Sequence, residues 1–169
     1  MADLITDIIN NSKKKKMKTL KITVIALFMA ATNLVCAQGH EAKSEKDKSA
    51  IEKLILSLPE SLKAADISKV LPLFTADAVV MPNNAPTVKG SEQIKGLFEN
   101  VFKKMTIDIT YVIDEVVING EYAYVRTHSK GNNVVLANGE NVLVNNKELF
   151  VVHRDKGEWK ITHYMGNHN

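Results

Sequence analysis

The chain has 169 residues, 45% hydrophobic and 24% charged, with eight glycines, four prolines and one cysteine; these proportions exclude collagen-like, disulfide-stapled and strongly disordered classes. The net charge of +3 is unevenly held: six lysines and two acids fall in residues 1–37, leaving 16 basic and 17 acidic residues from 38 onward. A folded part so near neutrality, with Arg126 and Arg154 its only arginines, lacks the cationic face that phosphate neutralisation requires, so nucleic-acid binding is not expected.

The first 37 residues read as a targeting segment. Lys13 to Lys21 is a positive run, Ile22 to Ala31 an apolar stretch, and Val35-Cys36-Ala37 puts small or medium residues where a signal peptidase cuts. The apolar stretch is well short of the roughly 20 residues a spanning helix needs. The expectation is a secretory signal cleaved after Ala37, preceded over residues 1–16 by an extension, with no membrane attachment after cleavage and with export to the periplasm or the medium. Asn33-Leu34-Val35 lacks the pattern expected before a lipidated cysteine, and loss of Cys36 with the signal excludes thiol chemistry and disulfides from the mature chain. Residues 38–49, polar and without apolar periodicity, read as a linker in which His40 is solvated. Residues 50–169 then form one domain.

Within that domain, Ile51, Leu54, Ile55, Leu58 and Leu62 recur at helical spacing, with Pro59 expected to kink the helix or start a new turn. Asp66 is suited to cap a second, short helix that carries Val70, Leu73 and Phe74 to the core, and Asp77 is expected to cap or end it. Ala78 to Met81 is a β-like run before a loop stiffened by Pro82 and Pro86. Ser91 is expected to cap a third helix, whose Ile94, Leu97, Phe98, Val101, Phe102 and Met105 form one apolar stripe. After Met105 the period becomes two. Ile107 to Ile118 and Tyr122 to Ser129 flank Asn119-Gly120, a strong hairpin signal. Val134 to Leu136 and Val142 to Val144 flank Asn138-Gly139, and Lys147 to His153 turns at Asp155-Lys156-Gly157 into Trp159 to Tyr164. Helices followed by an antiparallel meander make an α+β domain with its helices on one face of a curved sheet.

The strings Leu62-Lys63-Ala64-Ala65-Asp66, Leu73-Phe74-Thr75-Ala76-Asp77-Ala78-Val79-Val80-Met81-Pro82 and Gly90-Ser91-Glu92-Gln93-Ile94, in this order of elements, resemble the nuclear transport factor 2-like superfamily. Its bacterial SnoaL-like and ketosteroid isomerase-like branches, including small exported domains of the SgcJ/EcaC type, are the most similar. The resemblance spans about Ile51 to Tyr164. It implies a cone: a strongly bent, mainly antiparallel (mixed) sheet wrapped around the N-terminal helices in a cystatin-type roll, a cavity at the open end, and a homodimer formed through the sheet. Ketosteroid isomerases of this family use an Asp base with a Tyr and a protonated Asp. Matched along the strings, the Tyr position falls near Leu58, the base near Met81 and the second acid near Glu148. Leu and Met exchange no protons, so isomerase chemistry of that kind is not expected.

A two-residue Asn119-Gly120 loop would oppose Glu115 to Tyr124, Ile113 to Arg126 and Tyr111 to His128, putting Tyr111, Glu115, Tyr124, Arg126 and His128 on one face. That face is either an exposed or dimer-facing surface of cross-strand pairs or a polar pocket wall with His128 beside Tyr111. A four-residue turn over Asp155 to Glu158 opposes Arg154 to Trp159, Val152 to Ile161 and Phe150 to His163. Glu148, Phe150, Val152, Trp159, Ile161 and His163 then share a core-directed face. Glu148 and His163 are expected to meet at the open end of the cavity, as a structural contact or as an acid/base pair, because either one buried alone is costly. His163 and His168, without Asp or Cys beside them, make a poor metal site. No glycine-rich loop opens a helix after a strand, so neither a metal nor another cofactor is expected.

The leading expectation is an exported protein that binds a small apolar molecule in a conical cavity lined by Leu58, Met81, Tyr111, His128, Phe150 and Trp159. A lyase, isomerase or hydrolase using Glu148 and His163, and a homodimeric association module, are the alternatives.

Overall fold

The computed structural model describes residues 44–168. The expected extension, signal segment, Cys36 and the start of the expected linker with His40 lie outside the described residues. The chain divides into two compact units, Met1–Glu45 and Lys46–Asn169, of which the second is described below. No described helix is long and apolar enough to cross a membrane.

Helix α1 (46–63) starts earlier than its hydrophobic spacing indicates, for residues 46–49 are already helical. The physical reason is a tertiary partner: the Asp47 carboxylate lies 2.5 Å from Arg154 Nη2 and 3.4 Å from the donating Trp159 Nε1. Ile51, Ile55, Leu58 and Leu62 are buried, the stripe of a core-facing helix. The helix continues through Pro59 without a new start. Around it, the Ser57 and Ser61 hydroxyls donate back to Leu54 O (2.7 Å) and Ser57 O (2.8 Å), within the helix itself. The helix ends with Ala65 N donating to Leu62 O (3.0 Å) and Asp66 N to Ser61 O (3.3 Å). That is a Schellman ending, with Ala65 left-handed at φ +50° where glycine is usual.

Asp66 caps α2 (Ile67–Val70) by accepting from Ser68 N at 3.0 Å. A 3-10 turn over Leu71–Leu73 follows, and Phe74 begins strand β1 (Phe74–Met81) instead of ending a helix. Asp77 therefore lies exposed within a strand, not at a helix end. After β2 (Val88–Lys89), helix α3 (Ser91–Lys104) takes Gly90 as its N-cap, at φ 80°. Ser91 is the first helical residue, and its hydroxyl donates to Ala76 O (3.5 Å) instead of capping. Ile94 and Phe98 are buried, with Leu97, Val101 and Phe102 packed against them.

Strands β3 (Met105–Thr106), β4 (Ile109–Asn119), β5 (Tyr122–Val135), β6 (Asn141–Asp155) and β7 (Glu158–His168) complete the sheet. Its order is β2-β1-β7-β6-β5-β3, with β4 also paired to β5. β1 and β7 run parallel and every other pair antiparallel. The result is an α+β fold whose mixed sheet curls into a half-barrel over the buried stripes of α1 and α3.

Two bulges shape what the sheet presents. In β4 the register shifts between Ile113 and Glu115, leaving Asp114 as the extra residue. In β7, Val152 faces Ile161 while Val151 faces His163, leaving Thr162 as the extra residue. Each extra residue turns all side chains beyond it onto the opposite face.

Candidate functional site

On the concave face, paired strands form rows. Ile118, Ala123, Val152 and Ile161 make one row; Val116, Val125, Phe150, Tyr164 and Val80 make the next. Both are hydrocarbon apart from the Tyr164 hydroxyl. The following row is Ile113, Thr127, Glu148 and Gly166, and the one after it Tyr111, Ser129, Asn146 and His168. The face changes from apolar to hydrogen-bonding within one strand repeat, about 7 Å.

At this boundary Glu148 is 3% exposed. Its Oε2 accepts from Thr127 Oγ1 at 2.6 Å and its Oε1 from Ser129 Oγ at 2.5 Å, and both donors are fully buried. Burial pushes the carboxyl's pKa up, and the two hydroxyl bonds pull it partly back. Tyr111 and Tyr164 bring their hydroxyl oxygens to 3.3 Å. Tyr164 stacks on Phe150 with centroids 4.7 Å apart, and Tyr111 tilts against the same ring at 5.8 Å. Burial pushes the Tyr164 phenol up to about 12 and that of Tyr111 well above its ordinary value, and the Glu148 charge adds to both shifts. Both tyrosines therefore remain protonated donors at physiological pH. Gly166, opposite Glu148, leaves them room: a Cβ there would lie 3.2 Å from the Tyr164 hydroxyl oxygen.

The expected pair of Glu148 and His163 does not form. The Thr162 bulge turns His163 to the convex face, opposite Val151 and exposed, and brings Tyr164 to the concave side in its place. Tyr111 and His128 are likewise separated. The hairpin loop is Gly120-Glu121, with Asn119 paired to Tyr122, and the Asp114 bulge then sets Tyr111 opposite Ser129. Glu115, Tyr124, Arg126 and His128 are left on the convex face, where His128 Nδ1 is 2.8 Å from Asp114 Oδ1 and Arg126 reaches Asp114 (3.4 Å) and Glu115 (3.5 Å).

Of the other residues expected to line the cavity, Phe150 stands at the Glu148 site, fully buried. Leu58 is enclosed in the core cluster on α1. Met81 pairs with the exposed Met165 on the convex face, because Val80 takes the inward position. Trp159, on β7, is buried opposite Arg154, which lies six residues or roughly 20 Å of strand along β6 from Glu148. There it lies under the Arg154 guanidinium, 4.5 Å above its ring. The inward residues not anticipated are Thr127, Ser129 and Tyr164. A signal for the first two exists: Ala123 and Val125 alternate into Thr127 and Ser129, so the small and apolar start of β5 marks the inward set. Among the described residues, no group of three or more His, Cys, Asp or Glu side chains is placed to hold a metal.

The sequence matches the family model of the SnoaL-like domain over residues 57–164. A ketosteroid isomerase-like protein from Erwinia carotovora atroseptica is similar in structure, with 27% identity, a TM-score of 0.67, and coverage of 70% of this chain and 92% of that one. A Novosphingobium aromaticivorans protein provisionally named an aromatic ring hydroxylase is 28% identical, with a TM-score of 0.66 over 73% of this chain and 89% of that one. A domain of unknown function with a cystatin-like fold from Nostoc punctiforme, 16% identical, shares the fold with a TM-score of 0.61 over 73% and 78% of the two chains. A search of curated proteins returns no match. With its α+β half-barrel and a family match across most of the fold, the chain belongs to the SnoaL-like domain family of the nuclear transport factor 2-like, ketosteroid isomerase-like superfamily.

Proposed function

We propose that this protein binds a small, mostly apolar molecule by its hydrogen-bonding end, through Glu148 with its Thr127 and Ser129 partners and through the Tyr111–Tyr164 hydroxyl pair. The observation that carries this reading is Glu148 itself, the one buried charged residue among those described, set where a hydrocarbon face ends. A carboxyl there costs stability relative to valine or leucine, and a ligand-facing role accounts for its presence. Protonated, it adds an O–H donor to those of the tyrosines, a set suited to a carbonyl or hydroxyl oxygen on an otherwise apolar molecule.

The raised pKa of Glu148 favours a second reading, in which this carboxyl exchanges a proton with the bound molecule. The two readings separate by native mass spectrometry of the full chain purified from its own envelope, followed by incubation with whatever co-purifies. Recovery of the molecule unchanged, with affinity lowered about tenfold by Glu148→Gln, supports the receptor. Conversion by the wild type and not by Glu148→Gln supports proton transfer. Retention equal in wild type, Glu148→Gln and Tyr164→Phe overturns both.

We also propose that the chain is exported, on the strength of Lys13 to Lys21 and the apolar stretch behind them. Self-association through the convex sheet face is proposed on the exposed Val117, Tyr124, Leu149 and Met165.

A further inference from the structure

A cavity lies about 20 Å along β5 from Ser129, six residues away, at the tip of the β5–β6 hairpin. It has a volume of about 600 Å³ and is lined by Lys103 and Lys104 from the end of α3, by Met105, and by Val135, Leu136 and Ala137 from the tip. That volume falls within the usual range for small-molecule sites, roughly 300–1,000 Å³.

Its walls are rigidly joined. Met105 pairs with Val135 in the sheet, Leu136 N donates to Lys104 O at 2.8 Å, and Gly139 N and Val135 N close the turn onto Val135 O (2.8 Å) and Glu140 O (2.9 Å). These bonds occupy backbone polar groups of the tip, so what its side chains present is aliphatic. Leu136 remains 54% exposed at the lip, an apolar surface that a hydrocarbon ligand would cover.

The rim is cationic. Lys103 and Lys104 occupy the last turn of α3 and, like most lysines among the described residues, have no ion-pair partner there; what distinguishes them is their place on the rim of an apolar cleft. The acids nearest in sequence are Glu99, one turn back on α3, and Asp108, which pairs with Lys63 at 2.8 Å; Glu140, beside the hairpin tip, accepts from Asn138 Nδ2 at 3.2 Å. Two unpaired ammonium groups, with butyl stems continuous with a hydrocarbon cleft, match a chain that ends in a negative charge.

We propose that this cleft takes the alkyl chain of a single-chain anionic amphiphile, such as a fatty-acid carboxylate, with its head group between Lys103 and Lys104. The test is calorimetric titration of the full chain with dodecanoate below its micelle-forming concentration, with dodecanol as the uncharged probe. Expected are binding of dodecanoate about tenfold or more tighter than dodecanol, a comparable loss in Lys103→Glu/Lys104→Glu, and a loss of both ligands in Leu136→Gln. Equal affinity for the two probes, insensitivity to the lysine reversal, or loss confined to Glu148→Gln would overturn it, the last by assigning the ligand to the concave site. Binding to phosphatidylglycerol vesicles without binding of dodecanoate monomers would overturn it too, in favour of a bilayer surface. Circular dichroism of each variant confirms that it folds.

Discussion

Glu148 occupies a strand position whose companions on the same face, Phe150 and Val152, are fully buried, and the alternation of β6 made its inward direction legible. Its chemical setting was not legible, because Thr127, Ser129, Tyr111 and Tyr164 come from three other strands. A carboxyl whose pKa is raised by burial holds its proton more tightly folded than unfolded. Its contribution to stability is thus whole below the unfolded pKa and is lost as pH climbs toward the folded value. Glu148→Gln removes that titration while keeping the shape. Urea unfolding across a pH series is expected to show the variant gaining on the wild type as pH rises through and above the ordinary carboxylate range, then levelling. A flat difference would mean that the carboxyl titrates alike in both states.

Elements were easier to recognise than to delimit. The 3.6-residue stripe of α1 and the two-residue alternation of β4 to β7 stand in the sequence, while the start of α1 depends on Asp47 meeting Arg154 and Trp159. The cap residues divide in the same way: Asp66 serves locally, but Asp77 belongs to a strand because β1 pairs with β7 far along the chain. Two substitutions probe the junctions. Ala65→Gly relieves a left-handed alanine at the end of α1 and is expected to stabilise by about 1 kcal/mol in denaturant titration. Gly131→Ala is expected to destabilise by about 3 kcal/mol or more. A Cβ there would run into the Asp108 carbonyl oxygen and the Ile109 Cα, backbone atoms that cannot swing aside as a side chain would.

Across the whole domain, one sheet faces in two directions with different chemistry. The concave side runs from hydrocarbon to the Glu148 cluster, and the convex side carries Val117, Tyr124, Leu149 and Met165 among His128, Arg126 and His163. If that convex side is the surface of self-association, Tyr124→Lys with Leu149→Lys is expected to shift a dimer to monomer in sedimentation velocity at micromolar concentration. Each central side chain is worth about 2 kcal/mol there. A wild type already monomeric at that concentration would exclude the dimer.

Composition, the helical stripes and the strand alternation were sufficient to place this chain in an α+β fold with Glu148 turned inward, because burial of apolar side chains at fixed periods is a local property of the sequence. Which groups Glu148 would meet was decided only by the assembled sheet. One additional residue at Asp114 and one at Thr162 reverse the side-chain parity beyond them in β4 and β7, bringing Tyr111 and Tyr164 inward and sending His163 outward, while His128 keeps the convex parity of Tyr124 and Arg126 on the unbulged β5. A bulge of this kind is set by pairing between strands and by curvature of the sheet, and neither is written in the period of any single strand.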